Sequence, residues 1–189
     1  SSTESGWSSG PKIAVITVDG AIMSGSSGQS LLGGTSIGDQ TFRRYVERAI
    51  DENVRAIVLR VSSPGGSGSA SDAIWNDLQR LKRMELPLVV SMGDYAASGG
   101  YYIAMAGDYI YAHPSTITGS IGVFGGKFNL NGLFKKGGIT NHTSSRGAYA
   151  NLFSLTSDFS EEERNKYQDF LDNFYDCLLY TSPSPRDPS

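Results

Sequence analysis

Cysteine, histidine and long apolar runs are all scarce in this chain of 189 residues. A single cysteine, Cys177, cannot form an internal disulfide, so the sequence does not indicate a redox compartment. No apolar run is long enough to cross a bilayer. The formal net charge is −3, so the chain lacks the basic excess typical of nucleic-acid-binding proteins. Because metal-ligand clusters, phosphate loops and dinucleotide motifs are also missing, we expect neither a metal nor a cofactor.

Glycine, by contrast, is abundant and occurs in pairs. A glycine pair can adopt positive φ angles and lets other backbone approach closely, which suits loops that bind the main chain of a ligand. The pairs are Gly33-Gly34, Gly65-Gly66, Gly99-Gly100, Gly125-Gly126 and Gly137-Gly138.

The two ends of the chain differ in composition from its middle. Residues 1–11 are rich in serine and glycine, which predicts a flexible linker. Residues 12–176 carry regular apolar patterns and predict one domain of ordinary size. Residues 177–189 have a high proline and serine content and no regular period, which predicts a disordered tail of non-native appearance. A helical pattern stops near Asp176, so we expect the domain to be truncated at its C-terminal end.

Apolar patterns typical of strands and helices alternate along the middle of the chain. This alternation predicts βαβ units, and hence an α/β fold with a mainly parallel sheet and right-handed crossovers. Strands are predicted at 12–20, 54–63, 86–93 and 109–113, with further strand material in 115–130, and helices within 34–53, 69–84 and 98–106; in the first helix the predicted apolar face is Ile37, Phe42, Tyr45, Val46 and Ile50.

Two glycine-rich segments follow neighbouring predicted strands. Residues 62–67 read SSPGGS and residues 94–100 read DYAASGG. Ligands of parallel sheets bind beyond the carboxyl ends of the strands, so we expect both segments to line one crevice.

Ser98 lies in the second of these segments, at the start of a predicted helix. One interpretation is a structural serine that caps the helix. The other is a nucleophile, with the backbone N–H of Gly99 and an N–H of the Gly65-Gly66 pair stabilising an oxyanion. The sequence leaves both interpretations open at this point.

A serine nucleophile needs a base, and the sequence offers no obvious one. Of the two histidines, His113 precedes a proline and His142 lies in a polar loop, so each is more simply interpreted as structural or solvated. A lysine can substitute if burial lowers its pKa. The glycine-flanked lysine is Lys127, which is also typical of a surface residue.

Four motifs together resemble the signal peptide peptidase A (protease IV) family of serine peptidases. They read VDGAIM, AIVLRVSSPGGS, LPLVVSMGDYAASGGYYIA and HPSTITGSIGVFGG, and the similarity runs from about Lys12 to Asp176. The resemblance implies a Clp/crotonase-like fold of repeated ββα units and a Ser/Lys dyad that hydrolyses peptide bonds, notably in signal peptides. It also implies Ser98 as nucleophile, with the backbone N–H groups of Gly66 and Gly99 as oxyanion donors.

The chain departs from this family at the lysine. Single-domain members carry it at the position matching Ala150, and tandem members carry it in their N-terminal half, at the position matching Tyr109. Residues 12–176 therefore resemble the C-terminal half of a tandem peptidase, whose N-terminal half supplies the lysine. The isolated chain is then expected to be inactive or weakly active. The resemblance further implies peptide substrates, a homo-oligomer and a catalytic domain on the extracytoplasmic side of the cell membrane.

Two other functions remain open on the sequence. A crotonase-like enzyme that binds acyl-CoA uses a similar pair of backbone donors, although it has no need of a serine nucleophile at the start of the helix. A non-catalytic assembly domain would use Ser98 only as a helix cap.

Overall fold

The computed structural model describes residues 10–29 and 34–181. The chain divides into two compact units, and the boundary between them follows Ile121. The second unit is Gly122–Leu179, and the first contains the described residues on either side of it.

The first unit contains eight strands and three helices within its described residues. In chain order they are β1 (Ile13–Asp19), β2 (Ala21–Met23), β3 (Gly28–Gln29), β4 (Thr35–Gly38), α1 (Asp39–Asp51), β5 (Ala56–Ser63), α2 (Gly68–Arg83), β6 (Leu88–Ala97), α3 (Gly99–Ala104), β7 (Tyr109–Tyr111) and β8 (Ile117–Gly119).

Five of these strands form one parallel sheet. The order is β1-β5-β6-β7, and β8 pairs with the last residues of β6, beyond the segment that pairs with β7. The register places Ile16, Leu59 and Val90 side by side across the sheet, and all three are buried. These β-branched and leucine side chains supply the apolar face that a sheet buries against helices. The predicted α/β class and mainly parallel sheet are confirmed.

Helices α1, α2 and α3 bury their apolar faces in the same core. Phe42 and Val46 of α1, Ile74 of α2 and Ile103 of α3 have no exposed surface. Helix α2 contacts both α1 and α3, and α3 also contacts β5 and β6. This packing fixes where α3 begins, which matters for the site described below.

The second sheet of this unit is small, with the order β2-β4-β3. It corrects the prediction for the segment before α1: Thr35–Gly38 is a strand, and the helix begins only at Asp39. Ile37, predicted on the helix, instead pairs with Ile22 of β2. Tyr45, predicted on the buried face of the helix, is 45% exposed. A strand of four residues is too short to be distinguished from the first turn of a helix by its apolar spacing.

Two further predictions were wrong in extent. Strand β6 continues to Ala97, whereas the sequence predicted its end at Gly93. Of the strand material predicted in 115–130, only β8 forms within the first unit. The bounds of the other predicted elements agree with the structure to within a few residues.

The second unit contains α4 (Asn131–Lys136), which the sequence did not predict, and α5 (Glu161–Thr181). A capping box begins α5, because the Ser160 N–H donates to the Glu163 carboxylate and the Glu163 N–H donates to Ser160 Oγ. The helix runs past Asp176, where the sequence pattern predicted its end. Residues 1–9 and 182–189, which cover most of the predicted linker and tail, lie outside the described residues.

Candidate active site

Ser98 lies in the turn between β6 and α3, at the carboxyl end of the parallel sheet. Its backbone has φ 51° and ψ −121°, a conformation that residues other than glycine rarely adopt. The Ser98 N–H donates to the carbonyl of Gly119 in β8 at 2.8 Å, which holds the turn in place. A sharp strand-to-helix turn of this kind exposes the nucleophilic serine of many hydrolases.

The side chain of Ser98 does not serve the helix that it precedes. Ser98 occupies the N-cap position of α3, but its hydroxyl accepts no hydrogen bond from the first turn. The residue is neither fully buried nor fully exposed. The capping interpretation of Ser98 is therefore not supported, and no hydrogen bond of its hydroxyl occurs among the described residues.

Gly65 brings the first glycine-rich segment against Ser98. Its φ is +98°, and a Cβ placed on it would lie 2.7 Å from the Gly99 nitrogen and 2.8 Å from Ser98 Cβ. Real side chains do not approach backbone so closely, so only glycine fits here. The two glycine-rich segments are therefore in contact, as predicted.

Gly66 extends the small sheet by one residue. It forms an isolated parallel bridge with Ile22, in which the Ile22 N–H donates to the Gly65 carbonyl at 2.9 Å and the Ser67 N–H donates to the Ile22 carbonyl at 2.7 Å. The Gly65 carbonyl and the Gly66 N–H belong to one trans peptide group and point in opposite directions, so the N–H of Gly66 points away from β2. Gly66 is exposed, and no hydrogen bond from its N–H occurs among the described residues.

Gly99 is the first residue of α3, so its N–H has no acceptor within the helix. A Cβ on Gly99 would meet the Ser71 hydroxyl of α2 and lie 3.4 Å from Gly65 Cα. The structure thus brings the predicted site residues Ser98 and Gly99 against Gly65, and the third predicted residue, Gly66, follows Gly65 directly.

The first unit contains two lysines, and both lie far from Ser98. Lys82 forms an ion pair with Asp108 at 3.1 Å, and the Asp108 carboxylate also accepts the Leu88 N–H at 2.8 Å. Leu88 begins β6 and Ser98 follows its end, so the length of this strand, roughly 30 Å, separates the Lys82–Asp108 pair from Ser98. Lys12 precedes β1 and lies 3.7 Å from Glu52 at the same end of the sheet.

Asp108, Lys82 and the Leu88 N–H form a cluster at the opposite end of β6 from Ser98. The hydrogen bond from the Leu88 N–H, together with the Lys82 ammonium, holds the pKa of Asp108 below its usual range, against an opposing effect of burial. These interactions stabilise the amino end of β6 and provide no base for Ser98.

The remaining candidate bases are engaged or exposed. His113 has Nδ1 2.7 Å from the Ser115 hydroxyl and is exposed. In the second unit, Lys127 donates to the Asn151 carbonyl at 3.3 Å and lies 4.4 Å from the centre of the Phe159 ring. His142, also in this unit, is exposed.

The two positions at which the resembled family carries its lysine hold other residues. Tyr109 lies in β7 and is 65% exposed. Ala150 lies in the second unit and is exposed. Neither position therefore holds the lysine that the resemblance implies.

Sequence reasoning missed two buried serines beside the turn. Ser63 Oγ accepts the Gly65 N–H at 3.1 Å, and Ser71 Oγ donates to the Ser67 carbonyl at 2.9 Å. A serine side chain can accept the N–H of the residue two positions later, so the sequence SSPGG was consistent with this hydrogen bond of Ser63. Ser71 lies in α2, and its position in the sequence gave no indication that it would contact the serine turn.

In residues 10–29 and 34–181, histidine, cysteine, aspartate and glutamate do not form a group of three or more that could hold a metal ion. None of the helices in these ranges combines the length and apolar character needed to span a membrane.

Comparison with known proteins gives a consistent family. Residues 80–181 match the model of peptidase family S49. The chain is 40% identical over 169 residues to Protease 4 of Haemophilus influenzae, covering 89% of this chain and 26% of that protein. It is 34% identical over 173 residues to a protein of Enterococcus faecium described as signal peptide peptidase SppA, covering 90% of this chain and 50% of that protein.

A solved structure of a ClpP1 mutant from Listeria monocytogenes is also similar, with a TM-score of 0.42 and 19% identity over 54% of this chain and 52% of that one. The chain spans about a quarter of the length of the Haemophilus influenzae relative and about half of the length of the Enterococcus faecium relative. From the family match and these identities, the chain belongs to peptidase family S49, with the signal peptide peptidase A and protease 4 proteins.

Proposed function

We propose that this chain is the nucleophile-bearing domain of a serine endopeptidase, with Ser98 as the nucleophile. The observation that carries the proposal is the strained turn of Ser98, whose side chain does not cap α3 and whose Cβ lies against Gly65, next to the Gly99 nitrogen. Strain of this kind persists only where surrounding structure enforces it, and it is concentrated at functional sites. The crotonase-like and assembly-domain alternatives do not explain it.

In the proposed reaction, Ser98 Oγ attacks the carbonyl carbon of a peptide bond while a base removes the hydroxyl proton. The oxyanion that forms accepts hydrogen bonds from the N–H groups of Gly66 and Gly99. The tetrahedral intermediate collapses to an acyl-enzyme, and the protonated base gives its proton to the leaving amine. Water activated by the same base then attacks the ester and releases the acid.

The base is proposed to be a lysine supplied by another part of the intact protein. Lys12 and Lys82 lie at the opposite end of the sheet, where each faces a carboxylate. The two curated relatives are about 1.8 and 3.4 times as long as this chain, which leaves room for a second domain that bears the lysine. A lysine next to a serine must be partly desolvated to act as a base near neutral pH.

The proposed substrates, partners and location are based on membership of the family. We propose peptide substrates, with signal peptides left after protein export as the leading class. We further propose that the N-terminal half of the same protein and additional copies of it are the partners. The catalytic domain is proposed to act at the cell membrane, on its extracytoplasmic side.

The test compares the intact protein with its Ser98→Ala variant. A fluorophosphonate probe should label the wild type at Ser98, identified by peptide mass spectrometry, and cleavage of a casein or signal-peptide substrate should fall at least about 1000-fold in the variant. Ser91→Ala, on the same strand, is the matched control and should retain labelling and cleavage. Cleavage at the wild-type rate by Ser98→Ala would remove the proposal.

The isolated chain gives a second test. If the base is donated, residues 1–189 alone should react with the probe at least about 100-fold more slowly than the intact protein, because an unassisted serine hydroxyl is weakly nucleophilic. Equal labelling rates would mean that the chain contains its own base, and only the donated-lysine part of the proposal would fail.

A further inference from the structure

Ser63, the last residue of β5, has a fully buried side chain directly behind the glycine loop. Its hydroxyl accepts the N–H of Gly65 at 3.1 Å, and this hydrogen bond is itself buried. A buried N–H that loses its acceptor is costly, so the bond constrains the path of the chain through Pro64 and Gly65.

The same residue borders the second loop through its backbone. A Cβ on Gly100, the second residue of α3, would lie 2.5 Å from the Ser63 carbonyl oxygen and 3.2 Å from Ser63 Cβ. Ser63 therefore contacts the start of α3 on one side and holds the Gly65 turn on the other.

The Gly65 turn determines the direction of the next peptide group. Gly65 has φ +98° and Gly66 has φ +150°, so neither peptide is fixed by ordinary strand geometry. The Gly65 carbonyl is held by the Ile22 N–H, and the Gly65 N–H is held by Ser63 Oγ. The Gly66 N–H belongs to the same trans peptide group as the Gly65 carbonyl, so it points away from β2, and the bond from the Gly65 N–H to Ser63 Oγ holds the other side of Gly65.

We propose that Ser63 is a positioning residue that aims the Gly66 N–H at the reacting carbonyl oxygen. This inference rests on the proposed function, since it takes the Gly66 N–H to be an oxyanion donor for the attack by Ser98. Ser63 acts through Gly65 and does not itself contact substrate. Preorganised donors stabilise the transition state because they need no reorientation as the charge forms.

The prediction is a specific kinetic pattern for Ser63→Ala in the intact protein. Removal of a whole oxyanion donor lowers kcat by about 100- to 1000-fold, so a donor that is loosened but retained should lower it by about 10- to 100-fold. KM should change less than about 2-fold, because a ground-state carbonyl depends less on the aim of the donor. The inhibition constant of a peptide boronate, which mimics the tetrahedral intermediate, should rise in proportion to the fall in kcat.

Thr41→Val is the matched control. Thr41 is also buried, and its hydroxyl accepts a loop N–H, that of Ser27, at 2.9 Å, but it lies on α1 and contacts neither glycine segment. The Thr41 hydroxyl also accepts a hydrogen bond from Arg44 at 3.0 Å, and both of its bonds are part-buried. Thermal unfolding should fall in both variants, while kcat and boronate inhibition should change only in Ser63→Ala.

The outcomes separate this inference from the proposed function. If Ser98→Ala has no activity and Ser63→Ala has wild-type kcat and boronate inhibition, the positioning role is wrong and the peptidase proposal stands. If kcat and KM change equally in Ser63→Ala and in Thr41→Val, Ser63 is merely structural and the inference is overturned. If Ser98→Ala cleaves normally, the proposed function itself fails.

Discussion

Gly65 and Ser98 are in direct contact, although 33 positions separate them in the sequence, and the contact exists only because Gly65 has no side chain. A Cβ on Gly65 would lie 2.8 Å from Ser98 Cβ. The loop after β5 and the turn after β6 can therefore approach until their backbones nearly touch. This approach brings the Gly65-Gly66 loop against Ser98 and the first residue of α3, and it depends on parallel pairing of the two strands.

The first prediction concerns this contact. Gly65→Ala introduces both a positive-φ alanine and a clash with the backbone of Gly99, so it should destabilise the chain by roughly 3 kcal/mol or more. Gly25→Ala is the control, because Gly25 has a similar φ of +94° and a methyl group added there would have nothing within 4 Å. It should cost only about 1 kcal/mol. Urea unfolding measures both costs, and equal values would contradict the contact.

The second prediction concerns the start of α3. Gly99→Ala places its methyl group against the Ser71 hydroxyl, so Ser71→Ala should partly relieve the strain. We expect a favourable coupling of about 1 kcal/mol in a double-mutant cycle measured by urea unfolding. Ser69→Ala, two residues earlier on the same helix, should show no coupling with Gly99→Ala. Additivity in both cycles would mean that Ser71 does not pack on Gly99.

The sequence predicted the parts of the fold that depend on long apolar runs. The strands around Ile16, Leu59 and Val90 carry β-branched and leucine residues at their buried positions, and this pattern has few other interpretations. The strand Thr35–Gly38 was missed because its four residues are too few to show a strand period, and they directly precede a helix. Its identity is decided by pairing with β2, a tertiary contact.

The candidate site was predictable to a similar degree. Glycine pairs after consecutive strands predicted that Gly65 and Gly99 would meet, because the carboxyl ends of parallel strands share one edge. The conformation of Ser98 could not be read from its neighbours, since it is imposed by β6, α3 and the carbonyl of Gly119 together. The role of the Ser63 hydroxyl likewise depends on how deeply packing buries it.

The third prediction is a pH dependence of stability. The pKa of Asp108 is lowered in the folded state, chiefly by the Leu88 N–H and then by Lys82. Its carboxylate therefore stabilises the fold above the ordinary aspartate pKa of about 3.9, and this stabilisation is lost as the pH falls through the lower folded value. Asp108→Asn should be less stable than wild type near neutral pH, and the difference should shrink below about pH 4.

Urea unfolding at a series of pH values checks this result. Asp94→Asn is the control, because Asp94 is exposed and forms no hydrogen bond or ion pair among the described residues. It should leave the stability at neutral pH nearly unchanged. A constant difference for Asp108→Asn would show that the loss comes from packing and not from the charge.

The last prediction concerns the lysines of this chain. Lys82→Met and Lys12→Met remove ammonium groups that face Asp108 and Glu52 at the amino end of the sheet, so kcat and its pH profile in the intact protein should equal those of wild type. Lys127→Met should behave in the same way, because the Lys127 ammonium already donates to the Asn151 carbonyl. Lys82→Met should still lower the thermal stability, since Asp108 loses its partner. If any of the three variants abolished cleavage while remaining folded, the base would belong to this chain, and the second domain would no longer be needed to explain catalysis by Ser98.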